Sequence, residues 1–312
     1  MKQLHGIGKP VRRKEDGRFV TGRGQYTADI TLPGQLHLAV CRSPQAHARI
    51  RSIDTSAAAA AEGVVAVLTA ADLEALGIAC IPCVWPLVDA AGKAMFEPPH
   101  PILAKDKASY AGEPVAAVVA TSAALANDAA LLIAVDYETL PAVASATAAL
   151  APAAAQVWEG CPGNLALDWE LGDRAAVDAA FAAAAHVVAL DTVQNRLVPN
   201  ALEPRAANVA YDAARDEYTV YLASQNPHLF RYLTCRYTMP AILEHKLRVV
   251  APDVGGGFGS KTPQYNEEYL CLAGARLTGR PVKWVGTRSE AFVSDAQARD
   301  HVTHAEMALD AA

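Results

Sequence analysis

Four glycines crowd into seven residues, Gly255-Gly-Gly-Phe-Gly-Ser-Lys261, just after the apolar stretch LRVVAP. Without Cβ atoms such a loop lets backbone N–H groups approach a ligand and form a concavity for anions or oxygens. The plain alternative is a tight turn leaving a strand. Two phosphate-binding patterns are out of register: a P-loop needs glycine directly before the lysine, and Ser260 separates Gly259 from Lys261. The dinucleotide fingerprint needs a third glycine where Ser260 stands.

A second candidate is Gln225, at the point where YTVYLAS hands over to a helix, with Asn226 placed to cap it and Pro227 at its first position. There a glutamine can aim its side-chain amide at a bound oxygen, or simply be solvated. Cys80-Ile-Pro-Cys83 has redox-like spacing, but no βαβ context or second cysteine pair accompanies it, so it reads as two thiols in a loop. The nine histidines form no HxxxH pair, and no side-chain metal site is expected. Glu267-Glu268 reads as the solvated face of a helix.

The elements that must position these residues follow from length and pattern. With 312 residues the chain has room for two domains, each able to bury a core. Hydrophobic residues make up 52%, yet no apolar run reaches the ~18 residues of a membrane span. The leading MKQLHGIGKPVRRKEDGRF has no apolar core behind its basic residues, which argues against a secretory or transit signal and for a cytoplasmic protein. A net charge of -6 without a basic block makes nucleic acid an unsuitable partner, and six scattered cysteines imply reduced thiols.

Alternating strand and helix patterns over 18–140 predict a mixed α+β unit, interrupted by a proline-rich loop from Cys80 to Pro101. Alanine-rich 142–156 reads as a linker. Beyond it come a helix capped by Asp173, the strand HVVALDTVQ, strands near 207–211 and 217–223, and LRVVAP ahead of the glycines. The final HVTHAEMALD alternates as a strand does and stops where a hairpin partner is expected, so the chain reads as ending inside a domain.

In order, Glu203-Pro-Arg-Ala206, Ser224-Gln-Asn-Pro-His228, Gly255 to Lys261, Arg280-Pro-Val-Lys-Trp284 and Arg288-Ser-Glu290 resemble the large, molybdopterin-binding subunits of the xanthine dehydrogenase, aldehyde oxidase and aerobic carbon-monoxide dehydrogenase family. Gly22-Arg-Gly-Gln-Tyr-Thr-Ala-Asp29 and Ser43-Pro-Gln-Ala-His-Ala-Arg-Ile50 resemble the start of that family's α/β hammerhead domain. The likeness is greatest to the carbon-monoxide dehydrogenase branch. It implies a hammerhead domain over 18–140 and the first, partial molybdopterin-binding domain over 156–312.

The resemblance further implies a molybdenum held by a pterin dithiolene, in the cytosine dinucleotide form, with no protein side chain as metal ligand. It places Gln225, Gly256, Gly257, Phe258 and Gly259 against that cofactor. It implies a small-molecule substrate hydroxylated or oxidised with water as oxygen source, and electrons passed to an Fe-S small subunit (2Fe-2S) and an FAD medium subunit. Fixed amide donors would stabilise charge gathering on the centre's ligands, each worth roughly 2.7–4 kcal/mol if it acts like an oxyanion-hole donor.

Two departures bear on the reading. Thr262 stands where purine-oxidising members carry a glutamate. The family's catalytic glutamate would lie in chain after Ala312, so no catalytic residue is assigned, and a continuation chain is expected to carry the rest. A truncated non-catalytic scaffold and a nucleotide-binding protein using Gly255–Gly259 are the alternative expectations.

Overall fold

The computed structural model describes Gly6, Gly8 and residues 10–311. The reading of the leading segment therefore falls partly outside the described residues, as does Ala312. Strands in the first half are β1 (Leu36–Arg42), β2 (Ala48–Asp54), β3 (Val64–Leu68), β4 (Lys107–Ala108), β5 (Pro114–Ala120) and β6 (Ala134–Thr139). The second half contributes β7 (His186–Gln194), β8 (Ala206–Asp212), β9 (Glu217–Leu222), β10 (Leu247–Val250), β11 (Val282–Val285) and β12 (His301–Leu309). The fold is α+β, as the sequence implied.

β5 shows how the layers arise. Its sequence PVAAVVA is small and apolar throughout, and every residue is buried. Side chains alternate across a strand, so Ala117 and Val119 enter one core and Ala116, Val118 and Ala120 the other. The first core holds the helix Asn266–Thr278; the second holds the helix Ala123–Ala130, whose start is capped by Ser122 accepting from the Leu125 N–H. A strand covered on both faces reads as a continuous apolar run.

The principal sheet has seven strands in the order β10-β9-β8-β11-β1-β5-β3. β1 pairs parallel to β11, with Leu36 opposite Val282, and this single seam joins strands from the two halves of the chain. One core therefore contains Leu36 and Leu68 together with Val209, Tyr218 and Leu270. A shared core thus joins the two sides of 142–156, beside a second core drawn wholly from residues before 142. A small sheet β4-β2-β6 flanks the first half.

The helix Asn266–Thr278 is buried from Asn266 to Ala275, and Gly279 in the left-handed region ends it. At Gly274 an added Cβ would come 3.2 Å from Val119 and 3.4 Å from Val282, so glycine lets this helix lie close on the sheet. Glu267 and Glu268 sit on this buried segment, which corrects their reading as a solvated face. For Glu267 the physical reason is an ion-pair network that the helix carries inward, while Glu268 accepts from the Tyr265 N–H at the start of the helix.

β12 finds its antiparallel partner in β7, far earlier in the chain, with nine paired positions from His301–Gln194 to Leu309–His186. Together with the helix Arg174–Ala183 this ribbon contains no buried residue. Among the described residues, no helix is long and apolar enough to cross a membrane.

Candidate functional site

Gln225 follows β9, and the Asn226 side chain caps the helix Pro227–Leu233 by accepting from the Leu229 N–H. The glycine loop follows β10, the parallel neighbour of β9, so adjacent strands deliver both candidates to the same edge. They meet there. Gln225 Oε1 accepts from the Gly259 N–H at 3.0 Å and the Lys261 N–H at 3.2 Å, while the Gln225 N–H donates to the Lys261 carbonyl at 2.9 Å.

Two converging donors identify the oxygen of this amide. Its Nε2 group, a donor, is left without a hydrogen-bond partner among the described residues. The N–H groups of Gly256, Gly257 and Phe258 are likewise unspent among the described residues. Gly259 serves the glutamine instead, so the loop's free donors lie one to three residues earlier than that glycine. Gln225, Phe258 and Gly259 are exposed.

The glycines are explained by these approaches. A Cβ on Gly257 would lie 2.3 Å from Gln225 Cδ, and one on Gly255 would lie 2.5 Å from Glu203 Cβ. Phe258 holds φ at +50°, an uncommon conformation for a bulky residue. The loop closes as the Ser260 N–H and hydroxyl both donate to the Gly257 carbonyl, each at 2.9 Å.

Lys261 points inward, almost wholly buried, and its ammonium meets Glu203 Oε2 at 2.8 Å. Burial pushes that ammonium down, and Glu203 only partly offsets it. A lysine so engaged is not presented to a nucleotide phosphate, which removes the structural basis of the P-loop comparison. At the loop's entrance Asp253 accepts from the Gln25 N–H at 2.8 Å and pairs with Arg18; these contacts hold its carboxyl below the usual range.

Behind the loop lies a buried network that sequence reading missed. Arg205 reaches Glu267 at 2.7 Å and Asp295 at 2.6 Å, with its guanidinium 3.6 Å from the centre of the Tyr265 ring. Arg42 meets Glu267 at 2.6 Å and Glu290 at 3.0 Å. Burial alone would raise Glu267, but the two guanidiniums hold it at about 2. Burial pushes Glu268 up to about 8, offset only in part by the Tyr265 N–H and the charge of Arg205. The available signal was Glu203-Pro-Arg205, two charges in an otherwise apolar stretch.

A cleft of about 800 Å³, lined by His100, Tyr110, Glu113, Trp158 and Phe292 among others, includes neither Gln225 nor the glycine loop. Cys80 and Cys83 are free thiols in the proline-rich loop.

The sequence of residues 157–312 matches the model of the molybdopterin cofactor-binding domain, and 21–141 that of the aldehyde oxidase and xanthine dehydrogenase a/b hammerhead domain. The chain belongs to the molybdopterin-binding large subunits of the xanthine dehydrogenase family. It is 38% identical to the carbon monoxide dehydrogenase large chain of Afipia carboxidovorans, over 98% of this chain and 38% of that one. It is 36% identical to the nicotine 6-hydroxylase large subunit of Paenarthrobacter nicotinovorans, over 98% of this chain and 36% of the relative.

Among solved structures, quinoline 2-oxidoreductase from Pseudomonas putida 86 superposes with a TM-score of 0.86 at 37% identity, over 97% of this chain and 37% of that one. This family member thus spans under two-fifths of the length of these relatives. The two matched domains adjoin the 142–156 segment expected as a linker, although their strands share one sheet.

Proposed function

We propose that this chain supplies one wall of a molybdenum–molybdopterin site in a small-molecule hydroxylase or oxidase. The observation that carries the reading is the meeting of Gln225 with the glycine loop, leaving the Gln225 Nε2 group and the Gly256, Gly257 and Phe258 amides without partners among the described residues. The arrangement fits the cofactor: small residues permit close approach, and the unspent groups are all donors, suited to oxygen-rich or anionic ligands.

Gln225, Gly256, Gly257 and Phe258 would face the cofactor, with Gly259 holding Gln225 in place. The cofactor, when bound, supplies two-electron oxidation with water as oxygen source. The chain's own part is to orient it and to direct fixed amide dipoles at charge that develops on its ligands, without reorganisation during reaction. We assign the cytosine dinucleotide form, an Fe-S (2Fe-2S) small subunit and an FAD medium subunit as electron acceptors, a cytoplasmic setting, and a continuation chain carrying the family's catalytic glutamate.

The test is metal and pterin analysis of the native complex, with Gln225→Glu beside the wild type. Glutamate can still accept from the Gly259 and Lys261 amides, but it turns an acceptor outward where the amide donated. Wild-type complex with molybdenum and pterin, and a variant that loses roughly a hundredfold or more in kcat as for a lost oxyanion-hole donor, support the proposal. Native complex free of both metal and pterin overturns it in favour of a scaffold role.

A further inference from the structure

We propose that Glu203 is a positioning residue, which fixes the outward amide of Gln225 by acting through Lys261. This rests on the assignment of the glycine loop and Gln225 as the cofactor wall. The geometry is a chain of three contacts. One carboxylate oxygen, Glu203 Oε2, accepts from the Gly255 N–H at 2.7 Å and from Lys261 Nζ at 2.8 Å, so a single atom clasps both ends of the loop. The backbone N–H of Lys261 then donates to Gln225 Oε1, and its carbonyl accepts from the Gln225 N–H. With its oxygen held, the glutamine must present Nε2 away from the loop.

The segment bearing Glu203 is itself fixed. Arg288 donates to the carbonyls of Ala201 and Leu202 at 2.7 and 2.8 Å and also to the Asn200 side chain, while the Glu203 N–H donates to the Gly255 carbonyl at 3.2 Å. Glu203 Oε1 is buried with no hydrogen-bond partner among the described residues. The carboxylate thus leaves one oxygen unsatisfied while concentrating both contacts on the other, at the point where the loop closes. An anion there also neutralises the buried ammonium of Lys261, so no net charge from this pair lies behind the free amides.

The experiment is backbone hydrogen exchange on the full chain in its native complex, wild type against Glu203→Gln, together with molybdenum content per large subunit. The neutral variant can still receive the Gly255 N–H but binds the lysine weakly. The Gly259 and Lys261 amides are expected to exchange roughly tenfold to a hundredfold faster, the factor for losing a hydrogen bond of a few kcal/mol, while β5 stays protected and molybdenum content falls. Unchanged exchange at Gly259 and Lys261 overturns the proposal, as does uniform acceleration that includes β5, which marks a merely structural role.

Should Glu203→Gln fail to fold, Lys261→Met tests the same link: it leaves the Gly255 contact and must release Gly259, and continued protection of Gly259 overturns the proposal. A wild-type complex without molybdenum would defeat the cofactor assignment, whereas the exchange pattern separately decides whether Glu203 governs Gln225.

Discussion

The helix Asn266–Thr278 and the ribbon β7–β12 are both regular, yet they stand at opposite limits of packing. The helix is buried over ten consecutive residues and brings two carboxylates into the core. The ribbon has nine paired positions and no buried side chain. Hydrogen bonding alone does not distinguish them; what differs is the surface each removes from water. A two-stranded ribbon without a covered face is marginal in water, whereas the helix is locked between sheet and ion pairs. The candidate site lies beside the locked region, which gives the exposed donors a rigid support.

The largest effect that would sharpen this contrast is at Glu267. Glu267→Ala removes the carboxylate that two buried guanidiniums share, leaving Arg205 only the carboxylate of Asp295 and Arg42 only that of Glu290, and is expected to cost about 3–5 kcal/mol in urea unfolding. Its carboxyl lies at about 2 in the folded chain against 4.5 for the unperturbed group. The stabilisation it confers is therefore complete above pH 4.5 and is lost as pH falls toward 2. A variant no less stable than wild type at neutral pH would break the comparison.

The neighbouring carboxylate should behave in the opposite sense. Glu268 is raised to about 8, so between pH 4.5 and 8 the unfolded chain releases a proton that the folded chain keeps. Stability from this group must then fall as pH rises through that window, by at most about 1.4 kcal/mol per pH unit. Glu268→Gln can retain the Tyr265 N–H contact and should flatten the slope. Unfolding curves at pH 5, 6.5 and 8 check this, and an unchanged slope excludes Glu268 as its source.

The same two carboxylates show where sequence reading ended. Residue type, an amide donor and absent Cβ atoms, marked Gln225 and the glycine run as candidates, while only the resemblance assigned them to a cofactor. The caps at Asp173 and Asn226 were legible because they are local. The burial of Glu267 was not: its cations, Arg42 and Arg205, lie 225 and 62 residues away. The seam between β1 and β11, and the pairing of β7 with β12, are likewise long-range registers that periodicity within one strand does not specify. The family-like blocks marked Arg205 and Arg288, but their contacts emerged only with the fold.

Gly257→Ala carries the comparison to the loop. Its Cβ would fall 2.3 Å from Gln225, yet the glutamine is exposed and can move. The expected cost is about 1–3 kcal/mol, as for overpacking, taken up by displacing Gln225. Chemical shifts of the Gln225 side-chain amide should change while the core stays as it is. A variant whose Gln225 amide is undisturbed would show that the close approach is not maintained in solution.

The smallest effect belongs to the ribbon. Leu190 on β7 pairs with Ala305 on β12 and is 61% exposed, so Leu190→Lys removes little apolar surface from a buried place and can extend its charge into water. In the isolated chain the change in unfolding free energy should stay within about 0.5 kcal/mol, far below the cost at Glu267. Ribbon amides should also exchange faster than those of β5, because few packed side chains oppose local opening. A loss of about 2 kcal/mol or more at Leu190 would mean that this face is covered in solution. The packing contrast between helix and ribbon would then not hold for the chain in solution, and the ribbon would have to be counted with the core.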